Sequence, residues 1–557
     1  MAHRSYVRLA CVPSSHATSW GSSLSSSIGR SFMCRSYSEK NGGSGRVVGT
    51  YTSTAYQKTC NNFIVHHPSA LYNIRPNNMI GIRLSSSANS YSNNKPKRHH
   101  HHQQQQQQQK QRGKYLDLRE CNSIEEVCDM AYQRLQELNP RNLSSFWTKV
   151  SQLIVSPSRH ERDERRRMSG QPQQQKLKEQ MESIFIKTTD SMMTFEPRDL
   201  TQTALSIAKI VREVGNHDNI KKNNFRAGQG MVPYQEILND IFIGQTSTHH
   251  RKEDIIFQSI ADASMPNLWH FEPRFLSNLA YANAIAGSVP VSKDDGTTTL
   301  FDQIAEVSTP LLNEFNPQDL SNIVWAYEKV GATSSPLFDG VSNSILARDN
   351  LDNFPPQALS NILLAFAKVK ESNPKAGETN PKLFEKVAEH IVSTYDEQLD
   401  EFTPQALANI LWAYATVNQT SPALFDTVAQ HILHLHHLNS FKSQELSNIV
   451  WAYASTSNRQ PLLFAKIADH ILSLDNLKSF NAQNSGNILW AYATANIIHQ
   501  DLFEKVAAHV MKDIDFNSLN EVTQQNLLRA SEKAQRVVNS KKALGKGIDA
   551  SPPLPHR

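Results

Sequence analysis

The sequence predicts an all-α fold, a right-handed α-solenoid of about nine two-helix repeats of ~39 residues. A unit recurs almost verbatim as FNPQDLSNIVWAYEKV from Phe315, FPPQALSNILLAFAKV from Phe354, FTPQALANILWAYATV from Phe402, FKSQELSNIVWAYAST from Phe441 and FNAQNSGNILWAYATA from Phe480. Its asparagine falls at Asn322, Asn361, Asn409, Asn448 and Asn487, so a period of 39 with one nine-residue insertion accounts for every spacing. Each unit also carries a second apolar segment at helical spacing, such as PKLFEKVAEHIVS from Pro381, PALFDTVAQHILHL from Pro422 and PLLFAKIADHILSL from Pro461.

In chain order, residues 1–38 contain no acidic residue, and Arg4, Arg8, Arg30 and Arg35 are spread among serines and small residues. That is the composition of an organellar transit peptide, without the apolar stretch that secretion needs. Arg35-Ser36-Tyr37-Ser38 resembles a mitochondrial processing site, so the expected location is the mitochondrial matrix, with the plastid as the alternative. Residues 39–114 are rich in Ser, Asn, Gly and His and end in Lys95-Pro96-Lys97-Arg98, a run from His99 to His102 and a run from Gln103 to Gln109. Such a segment buries too little apolar surface to offset its ordering entropy and is expected to be a disordered linker.

Residues 115–300 hold degenerate copies: LNPRNLSSFWTKV from Leu138, FEPRDLTQTALSIAK from Phe195 and FEPRFLSNLAYANA from Phe271. Polar insertions at 156–173 and 213–232 are expected to be loops. Ser123-Ile124-Glu125-Glu126 matches a capping box at the first helix. Residues 301–540 form the regular array, and Asn526 keeps the spacing of 39 at its far end. Residues 541–557 are expected to be a disordered tail.

Within a unit, Asn316 or Thr403 can cap the first helix just ahead of Pro317 or Pro404, where a proline sacrifices no helical hydrogen bond. Leu383, Phe384, Val387, Ala388 and Ile391 mark the buried face of a second helix. Neither helix pair can cover that face alone, so the units must stack.

Several function classes are excluded. The chain has no apolar run long enough for a transmembrane helix. Its cysteines, Cys11, Cys34, Cys60, Cys121 and Cys128, form neither a CxxC pair nor an even disulfide framework. P-loop, GxSxG and HExxH patterns are absent, so neither enzyme activity, nor a cofactor, nor a small-molecule substrate is expected. Residues 1–114 carry 15 Lys and Arg against a single acidic residue, whereas residues 301–540 carry 16 against 26, a net charge of −10.

The candidate functional face is a stripe along the first helix. At about 100° per residue, Gln318, Asn322, Trp325 and Lys329 share one side, opposite Ile323, Tyr327 and Val330. The same positions recur as Gln357, Asn361, Leu364 and Lys368, then Gln405, Asn409, Trp412 and Thr416. They continue as Gln444, Asn448, Trp451 and Ser455, then Gln483, Asn487, Trp490 and Thr494. In the front units the glutamine position is held by Arg141, Arg198 and Arg274, and Lys209 holds the last position of its unit. Asparagine is a poor mid-helix residue, so its recurrence needs either an inter-repeat hydrogen bond or a ligand. Amides pair with base edges, aromatic faces stack on bases and arginines hold phosphates, which makes single-stranded RNA the ligand of interest. His390, His431, His470 and His509 recur in the second helix and read as boundary packing residues rather than metal ligands.

At F-x-P-Q-x-L-S-N-I-x-W-A-Y-A the units resemble the helical repeats of organellar RNA-metabolism proteins. These are the octotricopeptide-type repeats of algal chloroplast factors, the repeats of FAST-kinase-like mitochondrial proteins and those of a trypanosome RNA-editing substrate-binding subunit. The similarity covers residues 138 to 533 and implies RNA binding in an organelle, acting on transcript stability, processing or translation, with other ribonucleoprotein subunits as further partners. Many such proteins end in an RAP domain, which the tail SKKALGKGIDASPPLPHR does not resemble. The alternative is an armadillo-like scaffold: Leu-Ser-Asn-Ile with a nearby Trp is similar to peptide-holding Asn and Trp ladders, and an acidic array suits a basic peptide. There, however, the Trp precedes the Asn, whereas here Trp325 follows Asn322.

Overall fold

The computed structural model describes residues 116–156, 171–223, 233–243, 252–332, 334–372, 380–394, 399–497 and 499–546. The expected transit peptide and linker, and most of the tail, lie outside the described residues. A leading helix α1 (Ile124–Tyr132) is followed by helix pairs. They are α2 (Pro140–Val155) with α3 (Gln171–Ser191), α4 (Pro197–Asn223) with α5 (Pro233–Leu238) and α6 (Lys252–Ser264), and α7 (Pro273–Ala286) with α8 (Leu300–Ser308). Next come α9 (Pro317–Val330) with α10 (Ser335–Leu346), α11 (Pro356–Ser372) with α12 (Pro381–Ser393), and α13 (Pro404–Thr416) with α14 (Pro422–His434). The last are α15 (Ser443–Ser455) with α16 (Pro461–Ser473), α17 (Ala482–Thr494) with α18 (Gln500–Asp513), and α19 (Glu521–Lys546).

Each first helix lies along the next, from α2 on α4 and α4 on α7 through to α17 on α19, and the second helices from α8 to α18 stack in the same order. The array is an all-α solenoid with nine first helices among the described residues. The first-helix layer is packed much more closely than the second-helix layer, because small residues such as Ala326, Ala413, Ala452 and Ala491 lie buried within it.

Local chemistry sets the helix ends. The Asn316 side chain accepts the Asp319 N–H at 2.9 Å and Thr403 accepts that of Ala406 at 3.2 Å, each with proline following at the first helical position. At the other end Gly331, Asn418, Ser457 and Asn496 take left-handed φ values of 71°, 57°, 56° and 57°, the turn that stops a helix. At α1 the Ser123 side chain accepts the Glu126 N–H, but Glu126 reaches back to the Asn122 N–H at 2.7 Å, one residue ahead of the cap. Three expected boundaries move, the first being that α3 already starts at Gln171, inside the expected loop 156–173, whose residues 157–170 lie outside the described residues. Helix α4 continues through residues 213–223, since Gly215 alone does not end a helix that meets no proline before Pro233. Helix α19 likewise runs to Lys546.

The motif's tyrosine pins one unit to the next. Tyr327, Tyr414, Tyr453 and Tyr492 are fully buried and donate to the carbonyls of Phe301, Phe384, Phe425 and Phe464 at 2.5, 2.5, 2.6 and 2.7 Å. Each ring also meets the same phenylalanine edge-on, at 5.2, 5.1, 5.0 and 4.9 Å between centroids. In the second layer Lys466 donates to the Leu433 carbonyl at 2.8 Å and to that of Leu435, and Lys505 donates to Leu472 and Leu474 at 2.8 and 2.5 Å. Lys386 does the same to Leu346 and Arg348. Cations thus satisfy the open carbonyls at the end of the preceding second helix.

The histidine ladder lies on the same seam. His390 and His431 face Asp352 and Asp400 at 3.9 and 3.7 Å, and His470 lies near His437. Burial holds all three imidazoles below their ordinary pKa of 6.5, overriding the attraction of Asp352 and Asp400, while His434 and His437 push the same way as burial. Because the unfolded chain takes up these protons more readily, their contribution is complete above pH 6.5 and is lost as pH falls below it. The melting temperature is therefore expected to drop between about pH 7 and pH 5. A His390→Gln, His431→Gln, His470→Gln variant should show a flatter profile by circular dichroism, and an unchanged slope would discard the assignment.

Candidate nucleic-acid interface

Side chains of the first helices that do not enter the core emerge along one line. Gln318, Gln357, Gln405, Gln444 and Gln483 are exposed, the five asparagines beside them are half-buried, and so are Trp325, Leu364, Trp412, Trp451 and Trp490. Lys329 is exposed, whereas Lys368, Thr416, Ser455 and Thr494 are half-buried. The opposite faces of these helices, including Ile323, Ile362, Ile410, Ile449 and Ile488, are buried. The amphipathic assignment made from periodicity therefore places the whole stripe on one surface of the tightly packed layer.

The tryptophans form a ladder across units. Trp412 and Trp451 lie 6.4 Å apart between ring centroids with 30° between planes, and Trp451 and Trp490 lie 6.3 Å apart at 32°. Tyr281 of α7 takes the equivalent place ahead of Trp325, at 4.9 Å and 48°. Beyond Trp490 the Lys533 ammonium of α19 sits 5.1 Å over the indole and donates to Thr494 Oγ1 at 2.7 Å. Leu364 interrupts the aromatic row.

The asparagines divide into two groups. Asn322 and Asn361 each accept a hydrogen bond from the glutamine one turn earlier, Gln318 or Gln357, at 2.8 Å, and Asn322 also donates to Asn278 of the preceding unit at 3.5 Å. Asn322 thus has the inter-repeat hydrogen bond expected of the motif, whereas Asn361 is bonded only within its own helix. No side-chain hydrogen bond to the described protein is found for Asn409, Asn448 or Asn487, the three that flank the tryptophan stack. Their neighbours Thr416 and Ser455 also present buried hydroxyl oxygens without a hydrogen-bond partner. A half-buried amide row and an indole row thus run in parallel over α13, α15 and α17, with unpaired hydroxyls beside them at Thr416 and Ser455 and a paired one at Thr494.

Charge on this surface differs from the charge of the array. The stripe residues of α13, α15 and α17 are neutral. Acidic residues on the first helices are few, and Asp319 and Glu445 are buried, Asp319 accepting from Ser277 at 3.0 Å and Glu445 from the Lys442 N–H at 2.8 Å. Lys368 reaches Glu328 at 3.3 Å. Arg141, Arg198, Arg274 and Lys209 are exposed on α2, α4 and α7. Tyr281 and Lys533 belong to the row but were not singled out from sequence. Counting seven residues on from Arg274, or one period on from Thr494, is the signal that finds them. Among the described residues, no group of His, Cys, Asp and Glu has the arrangement of a metal site, and no helix is long and apolar enough to cross a membrane. No protein-family model and no curated protein matches the chain.

Proposed function

We propose that the protein binds single-stranded RNA along this stripe and acts in post-transcriptional RNA metabolism in an organelle, the mitochondrion by the character of its first 38 residues. The observation that carries the reading is the row of Asn409, Asn448 and Asn487 amides, without hydrogen-bond partners among the described residues, beside the ladder of Trp412, Trp451 and Trp490. A mid-helix asparagine costs helix propensity and recovers nothing here from an internal hydrogen bond. A base edge offers the missing donor and acceptor, and an indole face offers the stacking surface. Gln405, Gln444 and Gln483 extend the amide row toward solvent, and Arg141, Arg198, Arg274, Lys329 and Lys533 supply phosphate contacts toward the ends. The reading involves no catalytic step and no cofactor.

The test is equilibrium binding of the full chain to fluorescent single-stranded organellar RNA over a salt series, against a random-sequence control. Readout by a largely neutral stripe gives sequence preference with a shallow salt slope. Asn409→Ala, Asn448→Ala, Asn487→Ala together should weaken binding while helicity is kept. If no strand binds at low salt, the acidic array is better pursued as a scaffold for a basic peptide.

A further inference from the structure

The stripe changes character at its amino-terminal end. On α2 and α4 the tryptophan position holds Thr148 and Leu205, and the indole ridge gives way to a cleft of about 740 Å³, within the range of small-ligand sites. Four cations line it, Arg119, Arg141, Lys149 and Arg198, against two carboxylates, Asp117 and Asp199. The stripe residues of α13, α15 and α17 carry no charge.

The segment 116–119 makes the cleft. Leu116 and Leu118 are buried, and the Leu116 N–H donates to Asn142 Oδ1 at 3.0 Å, which pins the segment across the start of α2. Lys149 holds the Arg119 carbonyl at 3.4 Å, so Arg119 is brought to the lining of the cleft. The Arg119 guanidinium reaches Asp117 at 2.8 and 2.5 Å, an exposed pair that is cheap to exchange for another anion. Asp199 is nearly buried beside Arg141 and Arg198, whose charges oppose the rise in its pKa that burial causes. Uncharged donors are already ordered: Gln202 donates to Thr148 Oγ1 at 3.2 Å, and Thr148 donates to the Ser144 carbonyl at 2.8 Å.

We propose that this cleft takes the terminal phosphomonoester of the strand that lies along the stripe, and so fixes its polarity and register. A phosphomonoester carries close to two negative charges where an internal phosphodiester carries one, which suits a cleft whose described lining residues include four cations and two carboxylates. The segment 116–119 lines the cleft on the far side of α2 from α4, where a strand can end. Arg141 and Arg198 fork onto the phosphate oxygens, and Thr148 and Gln202 reach the sugar. The inference rests on the RNA reading above.

The experiment uses the full chain and one RNA sequence made with a 5′-phosphate, a 3′-phosphate or hydroxyls at both ends. One phosphorylated form should bind about tenfold more tightly than the hydroxyl form. Arg141→Ala, Arg198→Ala should erase that difference, whereas Arg274→Ala, which removes a cation outside the cleft, should weaken all three strands alike. Equal affinity of the wild type for all three ends overturns the end site and leaves stripe binding standing. A preference that survives Arg141→Ala, Arg198→Ala places the end elsewhere and also overturns it. Failure of every strand to bind overturns both readings.

Discussion

Replacing Trp451 with leucine is expected to lower the affinity of the full chain for single-stranded RNA about tenfold or more, while its thermal unfolding stays within a few degrees of wild type. Trp451 is the middle rung, stacked on Trp412 at 6.4 Å and tilted against Trp490 at 6.3 Å between ring centroids. Truncation to alanine would confuse two effects, because the indole is half-buried and packs against the core as well as facing outward. Leucine separates them. It already fills the equivalent place at Leu364, so the array tolerates its shape there, yet it offers no aromatic face. Fluorescence anisotropy with the same RNA and thermal circular dichroism read the two quantities independently. Unchanged affinity with unchanged stability would mean that the indoles are packing spacers between units, and the stripe would lose its stacking surface.

The period of 39, the proline-started helices and the buried face at Leu383, Phe384, Val387, Ala388 and Ile391 were legible because each is a local pattern repeated down the chain. Repetition says which residues are equivalent, and helical spacing says which side they occupy. It does not say which atoms meet between units. The Tyr453 hydroxyl finds the Phe425 carbonyl across a second helix and a loop, and Lys466 finds the Leu433 and Leu435 carbonyls in the preceding unit. Both depend on how far one pair is shifted against the next. The difference between Asn361, held by Gln357, and Asn409, which has no side-chain hydrogen bond among the described residues, lies in side-chain geometry that the shared motif hides. The cleft was illegible for a further reason. It needs residues 116–119, which belong to no repeat, to fold back over Arg141, Lys149 and Arg198.

The tyrosine that was opposite the stripe on the helical wheel carries the largest expected effect on stability. Tyr453→Ala removes a fully buried ring that contacts Phe425 edge-on at 5.0 Å and is expected to cost about 3–5 kcal/mol. Tyr453→Phe keeps the ring and removes only the hydroxyl bond of 2.6 Å, for about 1 kcal/mol. The array contains its own precedent, since Phe366 meets Phe338 at 5.2 Å in the same edge-on manner. Stacked units touch only their neighbours, so a weak seam between α14 and α15 should let the two sides of the array unfold separately. Urea denaturation should then show a single transition for Tyr453→Phe and a broadened or divided one for Tyr453→Ala. A loss as large for Tyr453→Phe as for Tyr453→Ala would transfer the pin from the ring to the hydroxyl. A negligible loss for Tyr453→Ala would remove this tyrosine from the account of how the units hold together.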